Sequence, residues 1–289
     1  MRSDKEMLVL ILNFAQNDER IRAVIMNGSR VNPNAKKDPF QDFDVVYLVK
    51  DVEPFKRNPV VVSYFGDIMI LQTPEDMGEP PPENDGHYVY LMQFLDGTRI
   101  DLSFYPLDRA AEIVTDSLSL VLLDKDQLIP DLPPPNDRGY LPKKPTAKSF
   151  ADCCNEFWWV SPYVAKGLWR DELTYAKYML DTVVRDEFMK MLTWYIGVQT
   201  GFQKSPGKLG KYFKNYLDPE LWVLLERTYA DACPEHIWGS LLVMGDIFRQ
   251  TANVVADYFG FTYPHQDDIN VTRYLHHIKS LPKDAKTIY

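Results

Sequence analysis

Two aspartates one residue apart, Asp42 and Asp44, open the apolar run Val45-Val46-Tyr47-Leu48-Val49, whose short length and β-branched and aromatic content predict a strand. Residues i and i+2 of a strand point to one face, so both carboxylates project together. Like charges held side by side call for a cation, and Mg²⁺ suits the place because it takes hard oxygen ligands and shares its shell with waters and substrate phosphates. Upstream, Ile21 to Met26 reads as a strand that ends in Asn27-Gly28-Ser29-Arg30. Gly28 permits a tight turn, while the exposed amides, the Ser29 hydroxyl and the Arg30 guanidinium are donors that fit phosphate oxygens. A third acid, Asp101, sits in the alternating run Thr98 to Phe104 after an Asp96-Gly97 hairpin signal. There Arg99, Asp101 and Ser103 share one face and Ile100 and Leu102 the other. Three carboxylates on adjacent strands could hold one or two metal ions and leave an oxygen free to take a proton.

Gly28-Ser29, a short spacer, Asp42-x-Asp44 and a later Asp101 resemble the pattern of the nucleotidyltransferase superfamily that includes DNA polymerase beta. A wider likeness runs through Phe157-Trp158-Trp159-Val160-Ser161-Pro162-Tyr163-Val164-Ala165-Lys166-Gly167-Leu168 and through Gly201-Phe202 with Gly207-Lys208. At these residues the chain resembles the aminoglycoside 6-adenylyltransferases, the streptomycin-modifying branch. The resemblance implies Mg²⁺-dependent transfer of AMP from ATP to a hydroxyl of a streptomycin-type aminoglycoside, with release of pyrophosphate. Asp42 and Asp44 would then hold the metal, Ser29 and Arg30 the outer phosphates, and Asp101 either a second metal or the hydroxyl proton. Glu172, at the start of a predicted helix, is the rival for general base.

Basic groups are also expected over the phosphates, with Lys208 and Lys211 of Gly207-Lys208-Leu209-Gly210-Lys211 the best source and Lys166 a weaker one. This is not a Walker A loop, since Leu209 stands where the hydroxyl residue would be. For the acceptor, Trp158, Trp159, Tyr163 and Trp169 could wall a sugar or its guanidino groups, although their helical spacing equally suits a core. Asp171, Glu172 and Asp181 are acids that could pair with a cationic drug. The histidines offer no HExxH or other metal spacing, and the three cysteines form no CxxC pattern.

The elements that must position these groups are legible. Ser3-Asp4-Lys5-Glu6 is a capping box opening an amphipathic helix over Met7 to Leu12, too short an apolar run to span a bilayer. Pro59 to Phe65 and Ile68 to Leu71 read as strands joined near Gly66-Asp67, and 79–86 as a proline-rich surface loop. His87 to Phe94 and Thr98 to Phe104 form the hairpin that delivers Asp101, and Ser119 to Leu123 a last strand. The proline-rich segment 130–139 breaks regular structure. Beyond it 147–166, 171–197, 218–230, 235–259 and 267–280 carry helical spacing. The expected fold class is α+β. Residues 1–135 would be a nucleotidyltransferase domain with a mixed sheet and 136–289 a helical substrate-binding domain, with the site in a cleft between them.

Composition agrees and narrows the classes. The net charge of -9 is concentrated in residues 1–140, with 14 basic and 24 acidic side chains, against 18 and 17 in 141–289. That field repels a nucleic-acid backbone and attracts a polycationic small molecule. Expected partners are therefore ATP and a cationic aminoglycoside, with no nucleic acid and no membrane. Three cysteines without a disulfide framework suit a cytoplasmic protein. Remaining alternatives are another small hydroxylated acceptor such as a lincosamide, a nucleic-acid polymerase, and a non-catalytic antitoxin-like relative.

Overall fold

A computed structural model describes residues 1–82 and 85–289; Glu83 and Asn84, in the proline-rich loop expected over 79–86, lie outside the described residues. The chain divides into two compact units, Met1–Gly139 and Tyr140–Tyr289.

In the first unit, α1 (Asp4–Gln16) starts at a closed capping box: the Ser3 side chain accepts from the Glu6 amide and Glu6 accepts from the Ser3 amide. Its buried face is Met7, Ile11 and Ala15, spaced by four, as an amphipathic helix requires. The strands are β1 (Ile21–Asn27), β2 (Phe43–Val49), β3 (Ile68–Gln72), β4 (Tyr88–Phe94), β5 (Arg99–Pro106) and β6 (Leu120–Asp124), with short helices α2 (Pro59–Tyr64) and α3 (Ala110–Ile113). Among the described residues they form one mixed sheet in the order β3-β4-β5-β2-β1-β6. Only the β2–β5 pairing is parallel. Alternation divides the side chains between two faces. Phe43, Val45, Tyr47 and Val49 of β2 and Ile100, Leu102 and Phe104 of β5 join α1 in the larger core. Val46 and Leu48 join Ala23 and Ile25 in a small cluster on the other face. A phenolic hydrogen bond of 2.8 Å from Tyr47 to the Ile11 carbonyl ties α1 to the sheet.

One expected strand is a helix. Pro59 to Tyr64 carries three consecutive valines, yet Asn58 caps a turn by accepting from the Val60 amide, and Pro59 at the first helical position supplies a φ suited to it. Val61 and Phe65, four apart, are buried, while Val60 is 65% exposed. Burial at helical spacing overrides β propensity here, which is a weak preference.

The second unit is helical: α4 (Ala147–Trp169), α5 (Leu173–Tyr178), a π-helical segment (Met179–Val184), α6 (Arg185–Gln199), α7 (Pro219–Glu226), α8 (Pro234–Phe259) and α9 (His265–Ser280). Its core is built on aromatic contacts between α4 and α8, with Phe157 and Phe248 stacked at 3.8 Å. No helix among the described residues is long and apolar enough to cross a membrane.

Replacing Asn58 by Ala removes the α2 cap and should cost about 1 kcal/mol. The check is chemical denaturation of the variant beside the parent; a change within error would remove the cap from the reasons for this helix.

Candidate active site

β2 and β5 pair in parallel with Asp44 opposite Asp101. Both carboxylates therefore leave the same face of the sheet from neighbouring strands, and Asp42, two residues before Asp44, continues that face. Asp44 carries the strain of the arrangement. Burial, and then the neighbouring charges of Asp101 and Asp42, push its carboxyl up from 3.8 to about 6. Burial raises Asp42 as well, against the opposing pull of Arg99.

Arg99, two residues before Asp101 on the same face, is the resident counter-charge. Its guanidinium binds Asp101 in bidentate fashion at 2.7 and 2.8 Å, and its Nε lies 3.6 Å from Asp42 Oδ2. Alternation made its position legible; its pairing with the acids is the part that residue types and spacing did not single out.

The Gly28-Ser29-Arg30 turn abuts these acids. Gly28 has φ 77°, and a Cβ built on it would lie 2.1 Å from Asp44 Oδ2, so only glycine leaves room for the carboxylate. Arg30, expected at the outer phosphates, is turned here onto the chain itself. Its Nε and Nη2 donate to the Asp42 and Gln41 carbonyls at 3.1 and 2.6 Å, its Nη1 pairs with Asp4 at 2.7 Å, and the guanidinium lies over the Phe43 ring. The guanidinium is committed to the chain's own oxygens, so Arg30 braces the segment that presents Asp42. Gln41 adds a bond from Nε2 to the Ser29 carbonyl at 3.0 Å.

The surroundings fit a divalent cation with oxygen ligands. Asn27 pairs with Asp44 across β1 and β2, and its Oδ1 is shielded from solvent without a hydrogen bond. Three acids with Arg99 paired among them and Arg30 acting from farther off leave negative charge uncompensated, as the raised Asp44 carboxyl shows. The oxygens do not yet converge: among the described residues, the only trio of acid, cysteine or histidine ligand atoms lying within 4.8 Å of one another is elsewhere, at Asp231, Cys233 and His236.

The other expected residues lie in the second unit and do not form one site. Trp158 and Trp159 are adjacent in α4, about 100° apart around its axis, and cannot share a face. Trp158 is 2% exposed and donates to the Tyr263 hydroxyl at 3.0 Å, so it belongs to the core; Trp159 is 64% exposed. Tyr163 carries the Lys166 ammonium 5.0 Å from its ring. Trp169 donates to the Leu281 carbonyl and, with Asp171, lines a cavity of about 790 Å³ that also involves Trp238 and Lys283. The four-residue aromatic wall is therefore not assembled. Asp181 sits in the π-helical segment with Lys177 at 2.7 Å and Arg185 at 3.4 Å, so its charge is already answered. Glu172 stands at the N-cap position of α5 with an exposed side chain that makes no capping hydrogen bond. Lys208 and Lys211 flank Leu209, which is 88% exposed with φ 55°, and neither lysine has a carboxylate partner among the described residues.

A mixed sheet bearing a Gly-Ser turn, an Asp-x-Asp pair and a register-matched third acid defines a polymerase-beta-like nucleotidyltransferase. The family model described as streptomycin adenylyltransferase matches residues 1–278, and the chain belongs to that family and is an adenylyltransferase. It is 42% identical over 276 residues to the aminoglycoside 6-adenylyltransferase of Bacillus subtilis (strain 168), covering 95% of this chain and 97% of that protein. The protein of the same description from Campylobacter jejuni is 42% identical over 269 residues, 93% of each chain. The crystal structure of an aminoglycoside 6-adenyltransferase from Bacillus subtilis is 38% identical, covering 97% of this chain and 100% of that one, with a TM-score of 0.48.

The Asp44 carboxyl gives a thermodynamic prediction. Its folded value is raised, so its proton-linked stability is complete below about pH 3.8, is lost as pH rises through about 6, and is absent at pH 7.5. In EDTA at pH 7.5, Asp44→Asn should be more stable than the parent by about 1–2 kcal/mol after solvent screening. Mg²⁺ should raise the parent's melting temperature and leave the variant's unchanged. A variant that melts below the parent in EDTA would contradict the electrostatic reading.

Proposed function

We propose that the enzyme transfers AMP from ATP to the 6-hydroxyl of a streptomycin-type aminoglycoside, releasing pyrophosphate and conferring resistance to the drug. The observation that carries this reading is the register of Asp44 with Asp101 beside Asp42, in a chain of the streptomycin adenylyltransferase family. The shared description of relatives from Bacillus subtilis, Campylobacter jejuni and Staphylococcus aureus as aminoglycoside 6-adenylyltransferases supports the acceptor class. The acidic balance of residues 1–140, 14 basic against 24 acidic side chains, favours a polycationic acceptor.

In this reading Asp42 and Asp44 would hold Mg²⁺, with Asp101 as the third carboxylate. The bound metal would neutralise the triphosphate and stabilise charge developing on it. The acceptor oxygen attacks the α-phosphorus, the bond from that phosphorus to the bridging oxygen of the β-phosphate breaks, and pyrophosphate leaves with the electron pair. Asp101 takes the hydroxyl proton in this reading, since its register with Asp44 ties it to the metal pair; Glu172 is the rival base. Arg99 binds both Asp101 oxygens and would give them up as the charge of the bound metal replaces its own. The Gly28-Ser29 turn offers amides and a hydroxyl to the outer phosphates, and Lys208 and Lys211, the latter now over the Tyr212 ring, would supply further positive charge. Chemistry of this kind needs positioning and charge neutralisation rather than a covalent intermediate.

The test is pyrophosphate release from Mg-ATP with streptomycin, a 2-deoxystreptamine aminoglycoside, a lincosamide or no acceptor. Release with streptomycin alone, abolished by EDTA, is expected; release with no acceptor preference, or none at all, would reject the acceptor assignment. Asp42→Asn and Asp44→Asn should each lower turnover on the order of 10²–10⁴-fold, since metal binding supplies several kcal/mol of charge stabilisation. A variant with near-parental turnover would remove that residue from the metal site. Asp101→Asn should fall by a similar factor while Glu172→Gln keeps activity within about threefold; the opposite ranking would make Glu172 the base.

A further inference from the structure

The second unit contains a cluster that adenylyl transfer does not use. Asp231, Cys233 and His236 stand on the turn into α8 and the first turn of that helix, and one ligand atom from each lies within 4.8 Å of both others. His236 Nδ1 is 2.9 and 3.0 Å from the two Asp231 carboxylate oxygens. We propose that Asp231, Cys233 and His236 form a surface binding site for a thiophilic divalent cation of the Zn²⁺ class, with the fourth position left to water.

Ligand chemistry favours that class. A thiolate, an imidazole and a carboxylate make the mixed sulfur, nitrogen and oxygen set that Zn²⁺ takes, whereas Mg²⁺ prefers oxygen alone. A tetrahedral Zn²⁺ with bonds of about 2.0–2.3 Å separates its ligand atoms by roughly 3.3–3.6 Å. The ligand atoms already lie within 4.8 Å of one another, so closing to that range takes only small side-chain adjustments at a solvent-accessible turn, with the Asp231–His236 contact exchanged for bonds to the metal.

The backbone beneath the cluster is fixed. Arg185, 8% exposed, donates at 2.6 Å to the Thr228 carbonyl, which also accepts from Ser240 at 2.5 Å. Lys177 donates to the Ala230 carbonyl at 2.6 Å, and the Cys233 amide donates to Asp231 at 2.8 Å. The turn is thus held at 228, 230 and 233, which lowers the ordering cost of binding. Asp231 also lines a cavity of about 460 Å³ with Lys177, Asp181, Arg185 and Tyr229, so the cation would sit at its rim.

The chain offers a clean test, because Cys153 and Cys154 are buried and Cys233 is exposed. In EDTA, a disulfide reagent that releases a coloured thiolate should label one thiol per native chain. Zn²⁺ at one equivalent should slow that labelling at least about tenfold, in the parent and equally in Asp44→Asn, which excludes binding at the other carboxylates. His236→Ala and Asp231→Asn should each lose the protection while their labelling rates in EDTA stay parental. Co²⁺ should give a thiolate-to-metal charge-transfer band that Cys233→Ser abolishes. Labelling unaffected by Zn²⁺, protection that survives both ligand variants, or a Co²⁺ spectrum without the thiolate band would each overturn the site.

Discussion

The parallel, in-register pairing of β2 with β5 is the constraint from which the candidate active site follows. It sets Asp44 and Asp101 side by side on one face, with Asp42 continuing the line, and each neighbouring feature answers that concentration of charge. Arg99 neutralises part of it from inside the same strand. Gly28 gives way to it, since a side chain there would occupy the space of the Asp44 carboxylate. Arg30 braces it by binding the carbonyls that precede the acid pair. The large core on the opposite face, with α1 fastened through Tyr47, makes the register costly to shift, because a one-residue slip would drive Phe43 and Val45 outward and the acids into the core.

A reactive centre of this kind is held in a state of partial compensation. A fully paired set of acids would have no affinity for a cation, and a wholly unpaired set would resist folding at neutral pH. One arginine paired among three acids lies between these limits, as the raised Asp44 carboxyl and the unpartnered Asn27 oxygen register locally. The helical unit follows a different logic. Most of its aromatic residues build the core, and Trp158 is locked into a chain of polar contacts through Tyr263 and Asp268.

Much of this was legible from residue types and spacing, and the misses have definite causes. Strand alternation placed Asp42, Asp44 and Asp101 on one face, and the hairpin and capping signals placed β5 and α1. The valine run of α2 misled because β-branched content was weighed above the Asn-Pro start and the four-residue spacing of its buried positions. Trp158 and Trp159 were grouped by composition, although adjacent helical residues diverge by about 100°. Arg30 is expected at the phosphates from its place after Gly28-Ser29, and its present contacts were not legible. That its guanidinium folds back onto Asp42 and Gln41 depends on loop geometry that local sequence does not encode. The pairing of Arg99 with the acids depends on how the side chain turns, which alternation alone leaves open.

The most direct test of the account is a crystal structure with Mn²⁺ in place of Mg²⁺ and a non-hydrolysable ATP analogue, with the metal located by its anomalous signal. The account predicts a metal bonded to carboxylate oxygens of Asp42 and Asp44 at about 2.1–2.2 Å, with the triphosphate in its shell and the Arg99 contacts to Asp42 and Asp101 lengthened. A nucleotide-bound metal with none of the three aspartates among its ligands would contradict it.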